Sequence, residues 1–170
     1  MPAAAATTAA AEHPVVAFMQ GMIGHHAQAL VMAGMVPSRS SHPSVKLLAE
    51  RIDVSQRGEI ELMRRWLRRR GHPAPADDAH AHAAMGHGEL MPGMLTRDQM
   101  EQLAAANGTA FDRLFLQGMI RHHEGALQMV STLLATNRDL DAETFRMVSE
   151  VDADQRAEIQ RMQSLLRSLP

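Results

Sequence analysis

The chain has 170 residues, 45 % of them apolar, and a nearly balanced charge of −2; it can bury one core but has no net field to draw in nucleic acid or an anionic membrane. It holds 14 Met and 10 His but no Cys and no Tyr, which excludes disulfides, thiolate metal sites, iron–sulfur clusters and cysteine nucleophiles together. No apolar run approaches the ~20 residues that span a bilayer, and the start PAAAATTAAAE lacks the charged head and hydrophobic middle of a secretory signal.

Helical patterns dominate, and no alternating strand stands out. Residues 1–13 read as a flexible Ala/Thr-rich tail, of the kind left when an export signal is removed. A single helical domain is expected over 14–170. Its first helix should run from Pro14 to Met35, with Pro37 stopping it. Pro43 suits the first turn of a second helix, which should stop at Gly71 and complete hairpin one over 14–71. Arg64, Arg65, Arg68, Arg69 and Arg70 fall in its last turns, where positive charge complements the helix dipole. That run reads as a solvated face, with Trp66 at the bundle edge; nucleic-acid binding would need a wider basic surface and more aromatics.

Residues 72–95, rich in Pro, Gly, His and Met, read as a long connection of the sort that is often functional. Thr96 and Gln99 then form a capping box that opens a short helix over 96–107, ended by Asn107-Gly108. Thr109 with Asp112 resembles a further cap before a helix from Ala110 to Thr136, and a final helix should run from Asp141 to Leu169. These two helices form hairpin two, over 109–169.

The hairpins repeat one another. FMQGMIGHHAQALVM at Phe18–Met32 matches FLQGMIRHHEGALQM at Phe115–Met129, 97 residues on. IDVSQRGEIELM at Ile52–Met63 matches VDADQRAEIQRM at Val151–Met162, 99 residues on, so the second hairpin's loop should be two residues longer. Two such hairpins can bury their apolar stripes only against each other. The expected fold is all-α: a four-helix bundle of two repeated hairpins, with the connection and a short extra helix between them.

At about 100° per residue, His26 and His123 fall inside the apolar stripes and should face each other, while His25 points about 100° away, beside Phe18, Ala29 and Met32. On the second helices Gln56 and Gln155 lie centrally, with Asp53, Glu59, Asp152 and Glu158 at the edges. Buried polar groups are costly unless hydrogen-bonded or ligated. They can form a polar layer that fixes register, with His26 and His123 bonded to Gln56, Glu59 and their counterparts. They can also bind metal. Thioethers suit Cu(I) and imidazole suits both copper states, so His25, His26, His122 and His123 with Met22, Met32, Met119 and Met129 are candidate copper ligands. Met63, Met100, Met147 and Met162 read as core packing. In the connection, His80, His82, Met85, His87, Met91 and Met94 form a His/Met-rich tract of the metal-binding kind, its methionines exposed until something covers them.

The doubled MI-x-HH-x-x-AL-x-M, the Gln-x-x-Glu-Ile after each copy, and MPGML-x-x-x-x-M-x-x-L together resemble the bacterial family called domain of unknown function 305, over about Val15 to Leu166. The resemblance implies a ferritin-like bundle of the bacterial envelope, periplasmic or otherwise outside the cytoplasm, and similarity to proteins that bind copper and protect against its excess. It implies His25, His26, His122 and His123 as signature positions, with the four helix methionines beside them. The first copy has Gly24 and Ala27 where the second has Arg121 and Glu124, so its site should be less polar or less completely formed.

The expected function is copper binding, Cu(I) first with Cu(II) or Ag(I) also admissible, for buffering or trafficking without a catalytic step. The partners are the ion and another copper-handling envelope protein, and a homo-oligomer is compatible with the sequence. One alternative is a redox metalloenzyme holding iron or manganese, although the Glu-x-x-His spacing of such sites is missing. Another is a metal-free interaction bundle.

Overall fold

The computed structural model describes residues 3–76, 84, 86 and 89–170, and for 3–13 the backbone alone. Among the described residues five helices are delimited in chain order: α1 Ala3–Arg39, α2 Pro43–Arg69, α3 Arg97–Ala105, α4 Gly108–Thr136 and α5 Ala142–Ser168. No strand occurs among the described residues. Helix α1 lies beside α2 and α4, and α5 beside α4 and α2, so the hairpins α1–α2 and α4–α5 close a four-helix bundle, with short α3 against α4. The hairpin loops hold three and five residues, the two-residue difference read from the repeat offsets.

The helix ends depart from expectation in three places. Helix α1 begins ahead of Pro14, in an alanine-rich stretch of high helix propensity. It also runs through Pro37 to Arg39. A proline removes one backbone donor, and here the last turn closes behind it: Ser40 N donates to Val36 O at 2.9 Å, and Ser38 Oγ donates to Met35 O at 3.2 Å. Helix α4 starts at Gly108 with Asn107 as its N-cap, so Thr109 is not the cap, and Asp112 is instead buried. The capping box at Thr96 and Gln99 is present, and Asp141 caps α5 by accepting from Thr144 N at 3.0 Å.

The arginine run is less solvated than its spacing suggests. Arg64 is buried and donates from Nε to Pro75 O at 2.9 Å, while Arg70 lies 4.3 Å over the Trp66 ring and pairs with Glu143 and Asp141. Trp66 is itself buried, its indole N–H donating to Thr144 Oγ1 at 2.9 Å. This end of the bundle is tied shut by α2–α5 contacts.

The apolar core falls into two clusters. One is built on Met32, Val36, Ile52, Phe115, Met119 and Met162, the other on Met22, Ile23, Ile60, Met63, Val130 and Val151. On every long helix the division comes at the repeated polar residues: His25 and His26 on α1, Gln56 and Glu59 on α2, His122 and His123 on α4, Gln155 and Glu158 on α5. All eight are buried. The four methionines read as packing residues, Met63, Met100, Met147 and Met162, do lie in the core.

Candidate metal centre

Helices α1 and α4 cross antiparallel. The Met32 methyl lies against Gly118 and the Met129 methyl against Gly21, and these pairs are equivalent under the repeat. Between these two crossing points the His25 and His122 rings come together with centroids 3.8 Å apart. Adjacent rings on one helix are farther apart, at 6.3 Å for His25–His26 and 6.1 Å for His122–His123.

Each ring is anchored through Nε2. His25 donates to the carbonyl of Pro92 and His122 to the carbonyl of His25, both at 2.9 Å. His26 Nε2 bonds the Glu59 carboxyl, and His123 Nε2 bonds the Glu158 carboxyl at 2.5 Å. In all four, Nδ1 is buried and has no hydrogen-bond partner.

Burial sets the charge states. It pulls His25 down to about 3, helped by the neighbouring His26. His26 also falls to about 3 through burial and the facing His123, and His122 lies well below the usual imidazole range through burial and His25. Burial and the facing Glu158 push Glu59 up to about 8. The layer is therefore uncharged at these groups near neutral pH. A neutral ring that donates from Nε2 to a carbonyl must carry its free lone pair on Nδ1. His25 and His122 meet that condition.

The connection completes the layer. Gln28 is buried and grips Leu95 twice, accepting from Leu95 N at 2.7 Å and donating to Leu95 O at 3.0 Å. Gly93, at φ 76°, lies on the α4 backbone, and a Cβ at Gly125 would stand 1.9 Å from Pro92 O. The segment that holds His25 is thus clamped between α1 and α4.

Several expectations change here. His25 is as buried as His26, because a segment 67 residues away covers it. The rings in contact across the bundle are those of His25 and His122, tilted by 35°, while His26 and His123 bond glutamates. Neither amide of Gln56 or Gln155 supplies the histidine bonds, and Gln56 Oε1 and Nε2 are both without partners. Asp53 and Asp152 turn outward to Arg57 and Arg156. Gly24 is buried and Ala27 half-buried, while Arg121 and Glu124 are exposed, so the two charged side chains that distinguish the second copy lie outside the buried layer.

Met22, Met32 and Met119 are buried and Met129 half-buried. They distribute by cluster: Met32 and Met119 on one side of the histidine layer, Met22 and Met129 on the other. Met94 is buried, so the bundle itself supplies its cover, and Met91 is half-buried. His80, His82, Met85 and His87 lie outside the described residues. Among the described residues, no three His, Asp or Glu side chains converge as a metal cluster. Any ion held here must therefore accept few imidazoles or complete its shell with thioethers.

The sequence reading missed Gln28, Gly125 and the Pro92 carbonyl. A buried-face glutamine one turn beyond His25 was the available signal for the first; the other two act through backbone and carry none.

A family model described as Domain of unknown function (DUF305) matches residues 16–166. A DUF305 fragment from Deinococcus radiodurans has a similar structure, at 34 % identity and TM-score 0.77, covering 92 % of this chain and 97 % of that one. A putative secreted DUF305 protein from Streptomyces coelicolor is also similar, at 29 % identity and TM-score 0.72, covering 88 % and 90 %. CopM in its Cu(I)-bound form is similar at 29 % identity and TM-score 0.68, covering 89 % and 94 %, and it has also been solved with Cu(II) and with silver. No curated protein matches the chain.

Proposed function

The chain belongs to the domain of unknown function 305 family, and from that premise we propose that it binds copper, Cu(I) above all, and buffers or carries it outside the cytoplasm. One observation carries this reading: four buried imidazoles, each fixed through Nε2, leave four Nδ1 atoms without partners. Such atoms cost free energy in a core unless something binds them. Metal-bound histidines characteristically donate their other N–H to a carbonyl or carboxylate, which is the pattern of Pro92, His25 O, Glu59 and Glu158. At His26 an ion on Nδ1 would displace one proton from the His26–Glu59 pair, leaving Nε2–H donating to the carboxylate.

Soft, low-coordinate Cu(I) suits a centre with imidazoles in contact and the buried thioethers of Met22, Met32 and Met119 on either side. The described residues offer an iron or manganese pair three buried carboxyls: Glu59 and Glu158 are each already bonded to a histidine, and Asp112 stands ten residues from His122 on α4, about 15 Å along the axis. The CopM structures with copper and silver support the reading, and the secreted description of the Streptomyces relative supports a place in the envelope. No helix of the described residues is long and apolar enough to cross a membrane. The protein that supplies or receives the ion is another copper-handling protein of that compartment.

Binding to the native state alone must stabilise it. At free Cu(I) or Ag(I) a hundredfold above Kd the gain is about 2.7 kcal/mol, expected as a rise in Tm of about 5–10 °C under anaerobic conditions. An unchanged Tm with both ions would favour the metal-free bundle.

A further inference from the structure

The repeat equivalence between the two crossing glycines fails at one point. At Gly118 the neighbours are the Met32 methyl and the Leu95 side chain, both buried. At Gly21 the neighbours are the Met129 methyl and the Met91 sulfur, which lies 3.4 Å from where a Cβ would stand. Met91 and Met129 are both half-buried. The connection thus closes one side of the histidine layer with a buried leucine and lines the other with a second thioether from a half-buried residue.

This pair is placed for transfer. Gly21 precedes His25 by one helical turn, about 6 Å along the axis. Met91 is bonded directly to Pro92, whose carbonyl holds the His25 ring. Met129 stands on the same side of the layer as buried Met22. A thioether is uncharged and needs no deprotonation to take a soft ion, so it can receive Cu(I) and release it inward without titrating. On the opposite side the half-buried methionine among the described residues is Met35, ten residues beyond His25 on α1 and so about 15 Å along the axis, too far to hand an ion to the layer.

We infer that Met91 and Met129 form a surface two-thioether site that takes up Cu(I) or Ag(I) and passes it to His25 and His122, so that the histidine layer loads from the Gly21 side only. This rests on the copper reading above but assigns the two methionines a kinetic role distinct from the resting site.

The test is stopped-flow transfer of Cu(I) from its coloured bicinchoninate complex to the full chain, comparing wild type with Met91→Leu/Met129→Leu and with Met91→Leu alone. Met147→Leu, a packing methionine of the same cluster, serves as the control. The expected result is loading at least tenfold slower in the double variant and slowed in Met91→Leu, with final copper per chain unchanged and the control at the wild-type rate. Wild-type rates in both variants would overturn the proposal. So would loss of final copper, which would make the thioethers the resting site. Should the double variant fail to fold, Met91→Leu decides by the same criterion. No copper taken up by wild type at equilibrium would instead sink the copper reading itself.

Discussion

Replacing Gly125 with alanine is expected to lower stability by about 2 kcal/mol, although alanine is the better helix former. The added methyl would stand 1.9 Å from Pro92 O and 2.3 Å from the Pro92 carbonyl carbon. Those are backbone atoms clamped by Gln28 on the other side, so no side-chain rotation relieves the overlap. Overpacking of this kind costs about 1–3 kcal/mol, and losing the clamp adds to it, while helix propensity returns about 1 kcal/mol. Gly34→Ala and Gly58→Ala supply the contrast. Both sites lie inside helices with no atom within 4 Å of the added carbon, so each should gain up to about 1 kcal/mol. Opposite shifts in urea midpoint between Gly125→Ala and these two are the expected outcome. If all three rise together, the connection does not rest on α4 and the His25 anchor is lost with it.

Acid should destabilise the protein steeply below pH 6.5. The folded states of His25, His26 and His122 resist protonation, mainly through burial. The unfolded chain binds those three protons near pH 6.5, so stability is lost as pH falls toward the folded values. Glu59 acts in the opposite sense: protonated in the fold up to about 8, it ionises in the unfolded chain from about 4.5. Between pH 6.5 and 4.5 the unfolded state therefore holds a net excess of two protons from these four groups. At about 1.4 kcal/mol per proton per pH unit, the slope is close to 3 kcal/mol per unit, large against a total stability of roughly 5–15 kcal/mol. Above pH 6.5 only Glu59 contributes, and stability should decline gently up to about pH 8. Urea midpoints measured from pH 4.5 to 8 should peak near 6.5; a flat profile on the acid side would mean that the buried rings already carry charge.

The repeat made the fold legible. Matching motifs fixed two hairpins, and their unequal offsets anticipated loops of three and five residues. Local capping chemistry was readable at Thr96, whose partner Gln99 lies three residues away; at Asp141 the pattern marked a helix start, and the structure makes that residue the cap. Pro37 misled because the cost of one missing donor was set against a turn that closes behind it.

The site was legible as a composition and obscure as a geometry. Periodicity placed His26 and His123 inside, yet it could not show Glu59 and Glu158 as their partners in preference to Gln56 and Gln155. It put His25 off the stripe because its cover, Pro92, comes from the connection. What covers Met94 was hidden for the same reason: a segment without periodicity gives no clue to the surface it lies on. Contacts carried by backbone carbonyls leave no trace in side-chain pattern.

The decisive measurement is an anaerobic competition titration of Cu(I) against a chelator, comparing wild type, a variant with His25, His26, His122 and His123 changed to glutamine, and a variant with Met85, His87, Met91 and Met94 changed to leucine. Glutamine keeps the layer polar and uncharged while removing the imidazole lone pairs. Tight binding should vanish in the histidine variant and persist at equilibrium in the connection variant. Binding kept by the first and lost by the second would place the copper in the connection and leave the four buried imidazoles as structural groups.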